Sequence, residues 1–328
     1  MDVTTGSSID VLFCADGAYF QHMGATIVSL LRTNPRHRFR LFVCSAKRDV
    51  SGEQNIDIVV SQFGNATTHY LYFDITQSHP DLRRDGYLTI ETYLRLFVTE
   101  FMEPQVSRLL YLDCDVIVCD DIGELWEADI ADHMMAAVPE PYLARHPGFE
   151  VGEQYFSAGV LVFDVQRWRA ADVVSQFVVF GQQNASRLTC HDQDILNNVF
   201  KGRVAPLSYR WNFQTSFADL SASSLNMSKE EFRELRRHPG IVHYTGQFKP
   251  WWYKYQPHYR ALYWDALMLT PWRTYRPPDQ TPRIMLQKVL RGTWLRERLN
   301  WCAPRLLEWV REVVFKGSRL RVDPTARW

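Results

Sequence analysis

Two aspartates stand inside an apolar stretch of the chain, "RLLYLDCDVIVCDD", residues 108–121. The length of this stretch and its content of Leu, Val and Ile predict a buried β-strand. On a strand, Asp113 and Asp115 would point to the same side and repel one another. Removing a carboxylate from water is costly unless a partner compensates for the lost hydration. A divalent cation is the first candidate for that partner; hydrogen bonds from backbone N–H groups at the edge of a sheet are the alternative.

The order of the predicted elements favours a parallel α/β sheet. Strand-like and helical segments alternate in the first third of the chain, as they do when helices connect parallel strands. The predicted strands cover residues 9–16, 38–45, 56–63, 71–76 and 108–121, and the predicted helices cover residues 22–34 and 89–102. In such sheets ligands bind beyond the carboxyl ends of the strands, which is where the acid pair lies.

The middle of the chain and the part before the basic end hold three further segments. "QYFSAGVLVFDVQRW" (residues 154–168) predicts a strand, a turn and a strand, and "HDQDILNNVF" (residues 191–200) predicts the start of a helix. "IVHYTGQFKPWW" (residues 241–252) predicts a short strand that breaks at Gly246. Between the halves, Asp121 and Glu124 have the spacing of a capping box before a short helix.

Size and charge limit the organisation of the chain. Its 328 residues, 46% of them hydrophobic, suffice for one large α/β domain with an appendage or for two smaller domains. Net charge is zero overall, but residues 281–328 carry +7, so the preceding residues carry −7. The basic end predicts an anionic partner, and we expect no nucleic-acid partner.

The cysteines and the N-terminus predict a cytosolic protein. None of the six cysteines forms a CxxC pair, and buried free thiols are the expectation over disulfides. The first residues, "MDVTTGSSID", lack the pattern of a signal peptide, and no apolar run is long enough for a transmembrane helix.

A histidine and a lysine late in the chain extend the predicted metal site. His243 precedes the turn at Gly246, and Lys249 follows six residues after His243. The imidazole would complete the coordination of a metal and favour Mn²⁺, with Mg²⁺ as the other candidate. The ammonium group would pair with phosphate oxygens. Together they predict a site for a diphosphate.

Several motifs in a fixed order resemble the retaining glycosyltransferases of family 8, especially the bacterial members that add galactose or glucose to lipopolysaccharide cores. The motifs are "IDVLFCADGAYFQHMGATIVSLL", "YLDCDVIV", "FSAGVLVFD", "HDQDILN" and "HYTGQFKPW", within residues 9–275. The resemblance implies a single Rossmann-like nucleotide-sugar-binding domain with a mixed, mainly parallel sheet, the A-type glycosyltransferase fold. It implies a catalytic domain over residues 1–275 and a helical, basic tail over residues 276–328.

The resemblance also implies a role for individual residues. The metal, with the diphosphate of a UDP-sugar, would be bound by Asp113, Asp115 and His243. The diphosphate-binding loop would contain Gly246 and Lys249. The remaining positions implied to contact the donor are Cys14, Ala15, Asp16 and Tyr19 at the uridine, Arg95 near the sugar and the diphosphate, Cys114 between the two acids, and Ser157, Ala158, Asp192 and Gln193 at the sugar. Gln193, Asp192 and Lys249 are the candidate catalytic residues.

The implied reaction moves a hexose from a UDP-sugar to a glycan, such as a lipopolysaccharide core or another lipid-linked saccharide. Gly17 and Ala18 stand where the family often has Asp-Asn, and Ser157 stands where Asn is commoner, so glucose and galactose both stay open as the donor sugar. Front-face attack by the acceptor is favoured, but Asp192 and Asp194 flank Gln193, so a double displacement through a carboxylate also stays open.

Two other functions fit parts of the pattern. A sugar-phosphate nucleotidyltransferase also combines a parallel sheet with metal-binding acids, but its first loop is usually glycine-rich and basic, and "ADGAYFQHMGA" contains no Lys or Arg. A non-catalytic glycan-binding protein of the same fold is the other alternative. Retention of the acids, the histidine and the lysine together argues against it.

The basic tail predicts association with a membrane surface. In "PRLLEWVREVVFKG" the apolar positions between Leu306 and Val314 recur with helical spacing, and basic residues lie among Trp and Leu. This composition fits a helix lying on an anionic surface, at the inner face of the cytoplasmic membrane. A C-terminal helix packed on the body of the protein is the alternative.

Overall fold

The computed structural model describes residues 8–79, 90–141, 148–150 and 153–285. The strands in these ranges are β1 Ile9–Cys14, β2 Phe39–Ser45, β3 Ala66–Tyr72, β4 Arg108–Leu112, β5 Val116–Val118, β6 Met135–Pro139, β7 Phe156–Asp164, β8 Val204–Pro206, β9 Phe213–Gln214 and β10 Ile241–His243. The α-helices are α1 Phe20–Thr33, α2 Val50–Ser61, α3 Ile75–Ser78, α4 Val98–Phe101, α5 Gly123–Trp126, α6 Val165–Ala170, α7 Val173–Asn184, α8 Asp192–Val199, α9 Lys229–Arg237 and α10 Arg260–Leu267. Short 3₁₀ helices cover Ile90–Phe97, Tyr209–Asn212, Thr215–Asp219 and Ala222–Leu225.

Seven strands form one mixed, mainly parallel sheet in the order β3-β2-β1-β4-β7-β6-β8. Only β7 runs antiparallel to its two neighbours, β4 and β6. A second, three-stranded sheet has the order β5-β10-β9. The predicted α/β class with a mixed, mainly parallel sheet is therefore confirmed.

The strand register places the ends of β1 and β4 at one edge of the main sheet. The two strands are parallel, with Leu12 paired to Tyr111. β7 continues past the end of β4, because the last residue of β4, Leu112, pairs with Val160 near the middle of β7. Residues Phe156 to Gly159 therefore extend beyond the end of β4, at the edge where ligands bind in sheets of this kind.

The apolar run at residues 108–121 is two strands, not one. β4 ends at Leu112, β5 begins at Val116, and the two strands belong to different sheets. The expectation of two acids on one face of a single strand was therefore wrong, although the acids do lie where a strand gives way to a turn. The turn between the strands is held by Thr26 of α1, whose hydroxyl lies 3.0 Å from the carbonyl oxygen of Cys114 and 2.8 Å from that of Val116.

The segment predicted as a strand at residues 56–63 lies mostly in helix α2, so that prediction was wrong. The Asp49 side chain caps the helix by accepting a hydrogen bond from the backbone N–H of Gly52. Ile56, Val59 and Val60 are buried, and their spacing is that of one helical face. The run of apolar residues resembled a strand because so short a run does not show whether its apolar residues follow a strand or a helix period.

The strand–turn–strand prediction for residues 154–168 was also wrong. β7 is one continuous buried strand through Gly159, and α6 follows it directly. Asp164 ends the strand and caps α6, because its carboxylate accepts a hydrogen bond from the backbone N–H of Arg167 at 2.8 Å. Glycine usually marks a turn, but here it stays in the strand because its missing side chain makes room for another residue.

Other local predictions agree with the structure more closely. α1 and α8 form where helices were predicted, and the predicted helix at residues 89–102 is a 3₁₀ helix followed by α4. The strand predicted at residues 71–76 is displaced, because β3 covers Ala66–Tyr72 and α3 begins at Ile75. The short helix α5 follows Asp121, but its N-cap is Ile122 and it has no side-chain cap, so no capping box forms. Asp121 instead accepts from the N–H of Gly123 and pairs with His37.

Apolar side chains pack on both faces of the main sheet. On one face, α1 is buried along most of its length. On the other face, the aromatic rings of Phe163, Trp168, Phe177 and Phe200 lie in mutual contact beneath α6, α7 and α8. The described cysteines, residues 14, 44, 114, 119 and 190, are free thiols, as predicted.

The chain divides into two units, and one of the breaks between them falls after residue 275. The first unit comprises residues 1–250 and 257–275, and the second comprises Trp251–Gln256 and Arg276–Trp328. Within the second unit, the Asp279 carboxylate accepts hydrogen bonds from the backbone N–H groups of Tyr253 and Lys254. The predicted tail helix around residues 306–314 lies outside the described residues. Among those that are described, no helix combines the length and the apolar character needed to cross a membrane.

Thr26 gives a test of how the β4–β5 turn is held. Thr26→Val keeps the shape of the side chain but removes the donor shared by two buried carbonyl groups, so we expect the free energy of unfolding to fall by about 1–3 kcal/mol. Denaturant unfolding measures this difference. Thr67→Val is the matched control, since Thr67 is exposed on β3 and its loss should change stability little. Equal effects of the two substitutions would contradict the role of Thr26.

Candidate active site

The turn that joins β4 to β5 presents two carboxylates at the ligand-binding edge of the sheet. Asp113 and Asp115 lie on either side of Cys114, whose side chain is buried. The backbone N–H of Asp113 donates to the carbonyl oxygen of Gly159 on β7 at 2.8 Å. The hydroxyl of Tyr111 donates to Oδ1 of Asp113 at 2.7 Å. Oδ1 is therefore occupied, and Oδ2 is the oxygen of Asp113 that faces His243.

The second sheet brings His243 to the two acids. β10 pairs antiparallel with β5, so His243 lies opposite Val116, the residue that follows Asp115. Nε2 of His243 is 3.5 Å from Oδ2 of Asp113 and 3.2 Å from Oδ1 of Asp115. One ligand atom from each of the three side chains lies within 4.8 Å of the others.

The donor set fits a hard or borderline divalent cation. Two carboxylate oxygens and an imidazole nitrogen suit Mn²⁺, and the oxygens also suit Mg²⁺. The space beside them depends on Gly159. A Cβ atom at that position would lie 2.1 Å from Cε1 of His243 and 2.9 Å from Oδ2 of Asp113. Glycine in the middle of β7 is thus required for the approach of His243 to Asp113.

The other ring nitrogen of His243 is bound within the protein. Nδ1 lies 2.8 Å from Oδ1 of Asn212, the residue that precedes β9. Nδ2 of Asn212 donates to Oγ of Ser157 at 3.0 Å. Ser157, predicted to contact the donor sugar, is therefore engaged with Asn212. All three side chains are buried.

Lys249 contacts Asp115 directly. Its ammonium group donates to Oδ2 of Asp115 and, at 2.8 Å, to the carbonyl oxygen of Tyr244. Burial favours the neutral acid, but Lys249 and His243 outweigh this effect and hold the pKa of Asp115 well below its usual range. Gly246, in the loop between β10 and Lys249, has φ +68°, a conformation that favours glycine.

Arg95 links the acid pair to α8. Its guanidinium group lies 3.0 Å from Asp113 and 3.1 Å from Asp192, and it donates to the carbonyl oxygen of Ala158 at 2.6 Å. It also stacks over the ring of Tyr111, 4.4 Å from the ring centre. Burial opposes the charge on Arg95, but the neighbouring acids outweigh burial and raise its pKa. Arg95 therefore stays a cation between two carboxylates.

Three consecutive polar residues at the start of α8, Asp192 to Asp194, have different partners. Burial raises the pKa of Asp192 to about 6, although Arg95 opposes this shift. Oε1 of Gln193 accepts a hydrogen bond from the backbone N–H of Ala158 at 2.9 Å. Asp194 accepts from the hydroxyl of Tyr155 at 2.6 Å and from two backbone N–H groups, those of residues 189 and 190, at 2.7 Å each. The carboxylate of Asp194 thus holds the turn that precedes α8.

The predicted uridine-binding residues follow β1, next to the acid pair in the sheet order. Cys14 is the last residue of β1, and the N–H of Ala15 donates to the carbonyl oxygen of Cys44 at 3.1 Å. Oδ1 of Asp16 accepts a hydrogen bond from the N–H of Tyr19 at 3.1 Å. Tyr19 is 37% exposed, and its ring contacts that of His22 edge-on, with 5.5 Å between the ring centres.

Several residues of the site were missed in the sequence. They are Gly159 and Asn212, described above, and Gln214 with Glu140, which are joined by a 2.6 Å hydrogen bond. Burial raises the pKa of Glu140 to about 7. The alternation of polar Asn212 and Gln214 with Trp211 and Phe213 was an available signal, since it predicts a strand with one polar face. Glu140 follows an apolar strand in the same way as the acid pair.

Gly159→Ala tests whether the three ligands converge on a cation. The added methyl group would collide with His243 and Asp113, so we expect Mn²⁺ affinity to fall by about tenfold or more. Titration of the free protein with Mn²⁺, followed by electron paramagnetic resonance, measures this affinity.

The control for this substitution is Gly123→Ala, where the nearest atom to an added Cβ is 3.1 Å away on Asp121, which is not one of the three candidate ligands. It should bind Mn²⁺ like the unchanged protein. Unaltered Mn²⁺ affinity in Gly159→Ala would contradict the metal site.

Curated sequences similar to this chain include glycosyltransferases and a stress protein. "General stress protein A" of Bacillus subtilis is 28% identical over 277 residues, covering 82% of this chain and 96% of the relative. The lipopolysaccharide 1,2-glucosyltransferase of Escherichia coli is 24% identical over 295 residues, covering 88% and 86% of the two chains.

Solved structures share the fold. The galactosyltransferase LgtC, in complex with donor and acceptor sugar analogues, matches with a TM-score of 0.70 at 24% sequence identity. The match covers 81% of this chain and 99% of LgtC. At this identity the likeness establishes the fold, which is the A-type glycosyltransferase fold expected from the sequence.

A family profile covers the whole region in which the site residues lie. Residues 10–254 match the profile of glycosyl transferase family 8. This range includes both strands that end at the candidate site, helix α8, His243 and Lys249. Because the match spans well over half of the chain, the protein belongs to glycosyl transferase family 8.

Proposed function

We propose that this glycosyltransferase is a metal-dependent, retaining hexosyltransferase that uses UDP-galactose or UDP-glucose. The observation that carries the proposal is the convergence of Asp113, Asp115 and His243 beside the cationic groups of Lys249 and Arg95. A cluster of this composition suits a nucleoside diphosphate with its divalent cation. Membership of family 8, a retaining family, supports the glycosyl-transfer chemistry and argues against the nucleotidyltransferase alternative.

Stabilisation of the leaving group is the main task of such a site. A divalent cation held by Asp113, Asp115 and His243 would supply positive charge to the departing diphosphate. Lys249 lies on the loop that follows β10, and its ammonium group would pair with phosphate oxygens once it leaves Asp115. Arg95 stays charged beside Asp113, so it adds positive potential at the same place without a change of protonation.

The residues around Gln193 favour front-face attack by the acceptor hydroxyl, with the leaving phosphate as its base. A double displacement would need a free carboxylate within about 3 Å of the anomeric carbon. Asp194 is committed to the hydroxyl of Tyr155 and to backbone N–H groups, so it is poorly suited to this role. Asp192 is paired with Arg95. The amide oxygen of Gln193, anchored by the N–H of Ala158, would stabilise positive charge on the sugar.

The proposed acceptor is a glycan, such as a lipopolysaccharide core or another lipid-linked saccharide. The similarity to the Escherichia coli lipopolysaccharide 1,2-glucosyltransferase supports this class of acceptor. The proposed uridine contacts at Cys14, Ala15, Asp16 and Tyr19 are supported by their position at the end of β1 and directly after it. The choice between galactose and glucose is an outcome of the assay that follows.

UDP release in the presence of Mn²⁺ tests the function directly. We expect release from UDP-galactose or UDP-glucose, and a loss of turnover on the order of 100-fold or more in Asp113→Asn and Asp115→Asn, because each loses a charged ligand beside the leaving group. Asp121→Asn, an exposed acid in the same stretch, is the matched control and should keep normal turnover. Circular dichroism checks that the variants are folded.

Two outcomes would contradict the proposal. Near-normal turnover in both variants of the acid pair would remove the metal assignment. The absence of UDP release from every UDP-sugar tested, with acceptor glycans present, would favour a non-catalytic glycan-binding protein. Proton NMR of the new glycosidic bond provides a further check, since a retaining enzyme makes an α-linkage from an α-linked donor.

We further propose that the basic tail, residues 276–328, attaches the protein to the anionic inner face of the cytoplasmic membrane. The net charge of +7 over residues 281–328 supports this, since each basic residue near such a surface contributes about 1 kcal/mol. Attraction of this kind weakens as salt screens it.

A chain ending at Pro282 tests the tail. The full-length protein should co-sediment with anionic vesicles, less with neutral vesicles and less at high salt, whereas the shortened chain should stay in the supernatant. The shortened chain should keep its turnover on a soluble acceptor, because the motifs of the site all precede residue 282. Aggregation, or lost turnover with the soluble acceptor, would instead show that the tail is part of the folded body.

A further inference from the structure

We infer that Asn212 is a positioning residue for metal binding. It fixes the orientation of the His243 ring and determines which ring nitrogen carries the proton. The inference rests on the proposed metal site and concerns a residue to which that proposal gives no role. Asn212 is fully buried at the end of a 3₁₀ helix, directly before β9. β9 pairs in parallel with β10, which places Asn212 beside the histidine.

The hydrogen bond between the two residues determines which ring nitrogen carries the proton. Oδ1 of Asn212 lies 2.8 Å from Nδ1 of His243, and an amide oxygen can only accept. Nδ1 of a neutral ring must therefore be the protonated nitrogen. The unprotonated Nε2 then points its lone pair at the space beside Asp113 and Asp115, where a metal ligand is needed.

The amide of Asn212 bridges His243 and Ser157. Nδ2 donates to Oγ of Ser157 at 3.0 Å, while the oxygen end of the amide faces the histidine. A rotated amide would place its NH₂ group against Nδ1 and favour the wrong tautomer. Because both Asn212 and Ser157 are buried, water does not compete for these hydrogen bonds.

The histidine ring is also confined by backbone at Cε1 and Nδ1. Gly159 lies so close that a Cβ atom there would be 2.5 Å from Nδ1 and 2.1 Å from Cε1. The ring is therefore held by contact with β7 on one side and by a directional hydrogen bond at Nδ1. Partners of this kind orient metal ligands, and their removal typically weakens metal binding about 10- to 100-fold.

The experiment measures Mn²⁺ affinity in the absence of nucleotide, by electron paramagnetic resonance, so that no catalytic step contributes. Asn212→Leu, which has a similar volume and no acceptor, should bind Mn²⁺ about 10- to 100-fold more weakly than the unchanged protein. Asn212→Asp, which restores an acceptor at Nδ1, should bind within a few fold of it. Asn34→Leu removes another fully buried asparagine, one that bonds at the end of α1, and should leave Mn²⁺ affinity unchanged.

A double-mutant cycle with His243→Ala separates positioning from damage to the fold. If Asn212 acts through the ring, Asn212→Leu should cause no further loss of Mn²⁺ affinity once His243 is absent. A further loss in that background, or unchanged affinity in Asn212→Leu alone, would overturn the inference. If Asn212→Leu does not fold, Asn212→Ser takes its place in the cycle.

The same data distinguish failure of the inference from failure of the metal site. If His243→Ala weakens Mn²⁺ binding but Asn212→Leu does not, the metal site stands and the positioning role falls. If His243→Ala itself binds Mn²⁺ as the unchanged protein does, the proposed ligand set is wrong and the role of Asn212 falls with it.

Discussion

The β4–β5 turn brings two negatively charged carboxylates close together, and the rest of the candidate site compensates for their charge. Asp113 and Asp115 would repel each other and lose hydration unless cations stood close by. The fold supplies those partners from distant parts of the chain: Arg95 from a 3₁₀ helix, and Lys249 from the loop after β10. The imidazole of His243 completes the cluster. A separate three-stranded sheet exists beside the main one, and its effect is to deliver that histidine to the turn.

The parts of the fold that the sequence predicted well are those with a strong local pattern. Clear periodicity of apolar residues and a recognisable start or end mark four of these elements, β1, β2, α1 and α8. The prediction failed for α2, where a short apolar run around Ile56 resembled a strand, and for β7, which was predicted as a strand, a turn and a strand. In both cases the deciding interactions come from elsewhere: the packing of α2 against α1, and the ring of His243 against β7.

The candidate site was predictable to the extent that its residues occur in ordered motifs. The grouping of Asp113, Asp115 and His243 followed from that order and agrees with their distances. The different tasks of Asp192 and Asp194 could not be predicted, since both acids occupy the same motif and differ only in their partners, Arg95 for one and Tyr155 with backbone N–H groups for the other. The alternating polar residues around Asn212 could have predicted a strand with one polar face, but its contact with His243 depends on the pairing of β9 with β10 and could not be predicted.

The extension of β7 beyond the end of β4 has a consequence for how the donor site can diversify. At Ala158 both backbone polar groups leave the main ladder: the N–H anchors Gln193 and the carbonyl anchors Arg95. These anchors belong to the main chain and are the same whatever side chain position 158 carries. Side chains around the proposed sugar site can therefore change while the arginine and the glutamine keep their main-chain anchors, so the framework of the site and its selectivity can be inherited separately.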